Sequence, residues 1–375
     1  MRQGSPGTPV EGDTGYGARG MVEAAPLSLM VAEGFEQVAY GHDAATGLRA
    51  IVAVHSTVLG PGLGGTRFWP YPDEGAALVD VCRLAKGMTY KHAAAGLDQG
   101  GGKAVIIGDP ATLRSDALIR AYARFVDGLG GRYLTAEDVG TTQADMDLIR
   151  TVTPYVTGVS ESLGGSGDPS PATALGVLWA MRAVATRLWG TDSLEGRHVA
   201  ISGVGKVGAA LAGHLHAAGA RLTVADVRPA AVEAVVAATG AATAPADAVH
   251  AVPCDIFSPC ALGAVFDEAT IPQLSCAAVV GSANNQLATD EDDNRMQAAG
   301  VLYAPDYVVN AGGVINIAEE QGGYDRRRAE ERIARIYDTT LQVLELADRD
   351  GITTAEAADR FAEQRVEAAR AAQPS

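Results

Sequence analysis

The sequence predicts an α/β protein of two domains, and three observations carry the prediction. A chain of 375 residues exceeds what one hydrophobic core organises, since single cores stop growing at about 250 to 300 residues. From His198 to Asp226 the pattern is strand, glycine loop, helix, strand, a βαβ unit of the kind that builds parallel sheets. Between the two halves lies Gly164-Gly-Ser-Gly-Asp-Pro-Ser-Pro171, a cluster suited to a hinge or boundary. The expected organisation is an N-terminal α/β domain over residues 26–158, rejoined by 351–375, and a second domain over 159–350, with a cleft between them.

Composition narrows the function. A formal charge of -16 disfavours nucleic acid and anionic membrane surfaces as partners, because both require a basic face. No stretch approaches the roughly 20 apolar residues of a membrane span. The cysteines, Cys82, Cys254, Cys260 and Cys276, lack Cys-x-x-Cys spacing, so reduced structural thiols are expected and no metal site. Residues 1–25 are rich in Gly, Pro, Glu and Thr without an apolar stretch; they read as a disordered tail and not a signal peptide, which makes the cytoplasm the expected location.

The first elements follow from patterning. Two strands are expected at Gln37 to His42 and Arg49 to Ser56, broken by the turn composition Asp43-Ala-Ala-Thr-Gly47. Leu78, Val81, Leu84, Ala85 and Met88 then recur at helical spacing from Asp73, a candidate cap, to His92. Lys91 falls near the end of this helix, where the dipole favours a cation. Lys103 is expected to open a strand over Ala104 to Ile107.

The stretch between those lysines, Lys91-His-Ala-Ala-Ala-Gly-Leu-Asp-Gln-Gly-Gly-Gly-Lys103, carries the chemistry. Burying an ammonium among small apolar residues costs several kcal/mol, or lowers its pKa, unless a partner is near. Thr135-Ala-Glu-Asp138 supplies a carboxylate, so lysine and Asp138 form a candidate acid–base pair.

Beyond the hinge, an alanine-rich helix is expected over Ala172 to Leu188, then a strand at His198 to Ser202. Gly203-Val204-Gly205-Lys206-Val207-Gly208 follows that strand directly and opens a helix, the context in which G-x-G-x-x-G binds a dinucleotide. The first glycine permits the turn, the second admits the pyrophosphate and the third allows close helix packing. Asp226 ends the next strand 18 positions after Gly208, where a carboxylate meets ribose hydroxyls. These features predict a Rossmann-like domain and favour NAD over NADP, with Arg228 as a residue able to weaken that preference.

Several further motifs stand in order along the chain: Gly60-Pro-Gly-Leu-Gly-Gly-Thr-Arg67, Lys86-Gly-Met-Thr-Tyr-Lys91, Leu97 through Gly100-Gly-Gly-Lys103 to Asp109-Pro110, Glu137-Asp-Val-Gly140, Asn284-Asn-Gln286 and Asn310-Ala-Gly-Gly-Val314. Together they are similar to the motifs of the Glu/Leu/Phe/Val dehydrogenase family of NAD(P)-dependent L-amino acid deaminases. The resemblance spans roughly Gly34 to Ala369. It implies that Lys91, with the backbone at Gly64 and Gly65, anchors a substrate carboxylate, that Lys103 activates water, and that Asp138 shuttles protons to and from the amino group. Thr173, Asn284 and Asn310 are implied to meet the nicotinamide and its ribose, although loop asparagines are commonly turn formers. The helix from Thr354 to Ala372 is implied to pack back on the first domain, and the protein to be a homo-oligomer, although no interface stripe stands out.

The resemblance also addresses the substrate. Glutamate-specific members carry a lysine at the position of Leu63 and a serine at that of Ile317, and both hold the distal carboxylate. Here both are aliphatic, and with Gly64, Ala136 and Val314 they outline an apolar pocket, a branched-chain amino acid being the expected substrate. Phenylalanine is the alternative within the family, and a non-catalytic NAD-binding assembly or regulatory protein is the alternative outside it. The paired lysines and Asp138 argue against the latter, since costly charges in an apolar cleft need a use.

Overall fold

The computed structural model describes residues 26–261 and 263–373; the tail expected over residues 1–25 lies outside the described residues. The first domain is laid down as α1 (Pro26–Glu33), β1 (Gln37–Asp43), β2 (Leu48–Ser56), β3 (Gly62–Trp69), α2 (Glu74–Ala94), β4 (Gly100–Ile107), α3 (Pro110–Leu113), α4 (Asp116–Asp127), β5 (Tyr133–Glu137) and α5 (Gln143–Arg150). Its five strands form one sheet in the order β1-β2-β4-β3-β5. The β1–β2 and β2–β4 pairs are antiparallel, while β4–β3 and β3–β5 are parallel.

The strand period of two divides this sheet between two cores. Val52, Val54, Ala104 and Ile106 pack with Leu118, Tyr122 and Met146 of α4 and α5. Ile51, Ala53, Val105 and Ile107 pack with Ala77, Val81 and Ala85 of α2. Each fully buried large aliphatic contributes about 1.5 to 3 kcal/mol. Asp73 caps α2 by accepting from the Ala76 N–H at 2.8 Å, worth about 1 kcal/mol.

One expectation shifts. Lys103 does not open its strand: β4 begins at Gly100, so Lys103 is an inner residue, on the same face as Val105 and Ile107. The glycine run reads as loop by propensity, yet tertiary packing makes it strand. A Cβ at Gly101 would stand 2.0 Å from Thr89 Oγ1 and 2.4 Å from the Ala85 carbonyl oxygen, so only a residue without a side chain lets α2 lie directly on β4. That close approach brings the end of α2, bearing Lys91, over the strand that bears Lys103.

The second domain comprises α6 (Ser170–Trp189), β6 (His198–Ser202), α7 (Lys206–Ala217), β7 (Arg221–Ala225), α8 (Pro229–Thr239), β8 (Ala242–Thr243), β9 (Ile256–Pro259), β10 (Ala278–Val279), α9 (Glu291–Ala298), β11 (Leu302–Tyr303), α10 (Asp306–Val309), α11 (Gly312–Ala318), α12 (Arg326–Ala334) and α13 (Ile336–Asp350). Its six strands are parallel throughout, in the order β11-β10-β9-β6-β7-β8. The order reverses between β6 and β9, the switch point at which doubly wound sheets bind ligands.

Helix α14 (Thr354–Ala372) returns to α2. Arg365 Nη1 donates to the carbonyl oxygens of His92 at 3.1 Å and Leu97 at 2.8 Å, placing a cation over the negative end of α2. The segment between the two sheets is tied to the far side of the cleft by Glu320, which accepts from the Gly158 N–H at 3.0 Å and the Ser166 N–H at 2.8 Å. Among the described residues no helix is long and apolar enough to cross a membrane.

Candidate active site

Lys103, near the middle of β4, meets Asp138, just beyond β5, at 2.5 Å between Nζ and Oδ2. Both are largely buried, with side-chain exposures of 10% and 18%. Burial alone would raise the Asp138 carboxyl, but the Lys103 ammonium and Arg67 guanidinium outweigh it and hold the group below the usual carboxylate range. The Asp138 loop is set by its own backbone: Thr141 Oγ1 accepts from the Asp138 N–H and donates to the Thr66 carbonyl oxygen.

Lys91 lies close enough to Lys103, Asp138 and Asp306 to feel their charges. Burial pushes its ammonium down to about 8, Lys103 adds to the lowering, and Asp306 and Asp138 oppose it. Lys103, by contrast, has a carboxylate in direct contact. Gly64 and Gly65 of β3 run beside Thr135 and Ala136 of β5, so the three chemical groups surround a glycine-lined stretch of sheet.

The apolar candidates fall into two sets. Leu63 and Ala136 are buried in the first sheet, and Leu63 belongs to a cluster that also holds Ala174 of α6 and Ile315 of α11. Val314 and Ile317 are one turn apart on α11 and partly exposed, which puts them on one helix face. No cation ion-pairs at any of these four positions among the described residues.

The glycine loop sits at the switch point. Gly203 adopts φ +91, the left-handed region that favours glycine, and a Cβ at Gly208 would stand 2.0 Å from the Gly203 carbonyl oxygen. At Gly205 a Cβ would meet only Arg228 Nη2, at 3.4 Å, so the approach to the start of α7 is open there. Val204 is buried and Val207 partly so. Lys206 is exposed and pairs with Asp168 at 3.0 Å, across to the hinge segment.

Asp226 accepts from the Val204 N–H at 2.9 Å and from Arg228 Nε at 3.2 Å. Asn310 Nδ2 donates to Asn284 Oδ1 at 2.8 Å and to the Ser282 carbonyl oxygen at 3.1 Å. Its own Oδ1 is buried without a hydrogen-bond partner. Thr173 lies beside this group: a Cβ at Gly313 would be 2.6 Å from its Oγ1. A nicotinamide dinucleotide fits these residues, because the open glycine loop leads toward a buried acceptor that lacks a donor, and a carboxamide N–H₂ is such a donor.

Three charged residues escaped the reading of the sequence. Arg67 of β3 reaches Asp80 at 2.8 Å and stands 3.6 Å from Asp138; Asp80 also receives Tyr71 Oη at 2.6 Å and Arg83 at 3.0 Å. Asp306 opens α10 and accepts from the Gln286 N–H at 2.9 Å; burial raises its carboxyl and Lys91 opposes the rise. The available signals were Arg67 two residues after Gly65, hence on the same strand face, and Asp306 within the apolar run from Val301 to Val309.

Residues 36–155 match the Glu/Leu/Phe/Val dehydrogenase dimerisation domain, and residues 164–232 and 224–373 match the Glutamate/Leucine/Phenylalanine/Valine dehydrogenase model. Leucine dehydrogenase of Bacillus cereus is 54% identical over 332 residues, 88% of this chain and 91% of its own. Valine dehydrogenase of Streptomyces coelicolor is 51% identical over 340 residues, 90% of this chain and 93% of its own. Among solved structures, L-tryptophan dehydrogenase from Nostoc punctiforme aligns with a TM-score of 0.83 at 41% identity, over 92% of this chain and 100% of that one. The hetero-hexameric glutamate dehydrogenase of Thermus thermophilus, in its leucine-bound form, aligns with a TM-score of 0.73 at 27% identity over 90% of each chain.

Proposed function

This chain belongs to the Glu/Leu/Phe/Val dehydrogenase family of NAD(P)-dependent enzymes, and from that premise we propose that it carries out the reversible oxidative deamination of branched aliphatic L-amino acids such as leucine, valine and isoleucine. The products are the 2-oxo acid and ammonium. One observation supports the reading above the others: Lys91, Lys103 and Asp138 are brought together by the fold, while Leu63, Ala136, Val314 and Ile317, the residues proposed to meet the substrate side chain, are aliphatic and offer it no counter-charge.

In this reading Lys91 takes the substrate carboxylate as a point charge. Asp138, held anionic, accepts a proton from the substrate ammonium. A dinucleotide held at the Gly203–Gly208 loop would supply the acceptor for the hydride that leaves the α-carbon. Lys103 removes a proton from water as its oxygen bonds to the resulting iminium carbon, and Asp138 returns a proton to the nitrogen; the C–N bond then breaks as the new hydroxyl gives up its proton and becomes the 2-oxo group, and that proton leaves with the ammonia as ammonium. Closure of the cleft would exclude bulk water before the hydride moves.

NAD is the proposed cofactor, because the Asp226 carboxylate at the end of β7 suits ribose hydroxyls and repels a 2'-phosphate. Arg228 is engaged by that same carboxylate and is not free to hold a phosphate unless the pair opens. The working form is proposed to be a cytoplasmic homo-oligomer, in keeping with the dimerisation-domain match.

An assay of NADH oxidation with ammonium and a panel of 2-oxo acids tests the reading. Branched aliphatic acids should lead phenylpyruvate by about tenfold in kcat/KM, the worth of a methylene or two in an apolar pocket. The 2-oxoglutarate rate should be near background, since its distal carboxylate would lose water without gaining a partner, at a cost of several kcal/mol. Phenylpyruvate leading would reverse the choice of substrate, and no oxidation with any acid would favour a non-catalytic protein. NADPH matching NADH would remove the role given to Asp226.

A further inference from the structure

We propose that Arg67 is a positioning residue that holds Asp138 in place and in its anionic form while Lys103 gains and loses its proton. This rests on the proposed roles of Lys103 and Asp138. Those two roles conflict. Lys103 is the nearest cation to Asp138, at 2.5 Å, yet a group that activates water must spend part of the cycle neutral. During that interval a carboxylate with 18% side-chain exposure would lose its main counter-charge.

Arg67 supplies a charge that does not come and go, because a guanidinium keeps its proton throughout the working range. Its Nε stands 3.6 Å from Asp138 Oδ2, and that Nε is buried and makes no hydrogen bond. The distance is longer than a hydrogen bond, and such contacts often tighten only when substrate is present. The other end of the guanidinium is clamped, with Nη1 at 2.8 Å from Asp80, which Tyr71 and Arg83 also hold. Arg67 is thereby fixed with Nε turned to the catalytic carboxylate.

The charges facing Asp138 come from several elements. Lys103 lies on β4 and Arg67 on β3, Lys91 and Asp80 lie on α2, and Glu137 is its neighbour in the chain. Of the three cations, Lys91 is committed to the substrate carboxylate and Lys103 to water in the proposed mechanism. Arg67 alone has no other chemical task. Asp80 keeps Tyr71 and Arg83 when Arg67 is replaced, so the substitution leaves no orphaned carboxylate in the fold.

The test is the pH dependence of kcat for deamination in Arg67→Met, with Arg67→Gln as a second variant that removes the charge but retains a polar end. Losing an adjacent cation raises a carboxyl by about 1 to 3 units, so the variant-to-wild-type ratio of kcat should fall progressively as the pH is lowered below about 6, by about twofold or more at the acid limit of the enzyme's stability. KM for the amino acid should change by less than about threefold, because Lys91 is untouched. Arg67→Lys should restore the pH profile while leaving kcat below wild type, since an ammonium keeps the charge and loses the fork. Asp138→Asn separates the two levels of the argument. If it is inactive and the ratio stays flat with pH in both charge-removing variants, the role of Arg67 is overturned and that of Asp138 stands. If Asp138→Asn retains wild-type turnover, the proton role of Asp138 fails and takes this proposal with it.

Discussion

The two walls of the cleft are built on opposite principles. On one, Lys91, Lys103, Asp138 and Arg67 come from the first domain and act on one another by charge, and the second domain adds Asp306. On the other, the residues proposed to meet the substrate side chain, Leu63 and Ala136 of the first sheet and Val314 and Ile317 of α11, are all aliphatic. A charged wall is intolerant, because each member's protonation depends on its neighbours; an apolar wall is tolerant, because contacts are interchangeable and each methyl is worth about 1 kcal/mol. Reaction should therefore be set by the first wall and selectivity by the second. Substitutions on the two walls should differ in size as well as in kind.

The largest effect is expected at Lys103. Lys103→Ala should lower turnover by about a thousandfold, within the range for losing a general base, while leaving NADH affinity unchanged in a fluorescence titration. Asp138 retains Arg67 at 3.6 Å, so the variant should fold. Retention of more than a few per cent of wild-type kcat would mean that the charged wall is structural and that the contrast between the walls is mistaken.

An intermediate effect is expected at Lys91, and pH reveals it. Its ammonium is lowered to about 8, so the charged form that binds a carboxylate prevails below pH 8 and is lost above it. The affinity of 4-methylpentanoate, which has the substrate's carboxylate and branched chain but no amino group, should be constant up to about pH 7.5 and then fall by about tenfold per unit above pH 8. An ordinary lysine would hold its charge to about pH 10. Inhibition constants that stay level from pH 7 to 9.5 would show that Lys91 does not carry the carboxylate. In Lys91→Met the affinity should be weak and independent of pH.

The contrast between the walls also explains what the sequence disclosed. The glycine loop between β6 and α7 was legible because its signal is local: Gly203, Gly205 and Gly208 sit within six residues, and their context of strand and helix is local as well. Asp73 as the cap of α2 and the β1–β2 hairpin were legible for the same reason. The run from Gly100 to Gly102 was read as preceding a strand because glycine has low β propensity, and only the weight of α2 upon it makes it strand. Strand β3, with Gly62, Gly64 and Gly65, was visible as a motif and not as an element.

The charged wall was half legible. Lys91, Lys103 and Asp138 could be singled out as costly charges, but how far burial lowers Lys91 depends on the opposing charge of Asp306, more than 200 residues away in the other domain. The Arg67–Asp80 clamp likewise joins a strand to a helix and leaves no periodic trace. Long-range electrostatics depends on distances in space, and a single sequence records none of them.

The smallest effect is expected on the apolar wall, at Ala136. Its side chain is 3% exposed on β5, beside Gly65 and next but one to Asp138, so it borders the charged wall without belonging to it. Ala136→Gly removes one methyl and should shift kcat/KM toward bulkier side chains by about tenfold or less, the worth of a methyl or two in such a pocket. Glycine in a strand costs about 1 kcal/mol of stability, so thermal unfolding should show a drop of a few degrees with the fold intact. The ratio of phenylalanine to leucine activity should rise while the pH dependence of carboxylate binding stays that of wild type. Were the pH dependence to move with the ratio, the two walls would be coupled through β5. Selectivity would then be a property of the charged groups as well as of the pocket's shape.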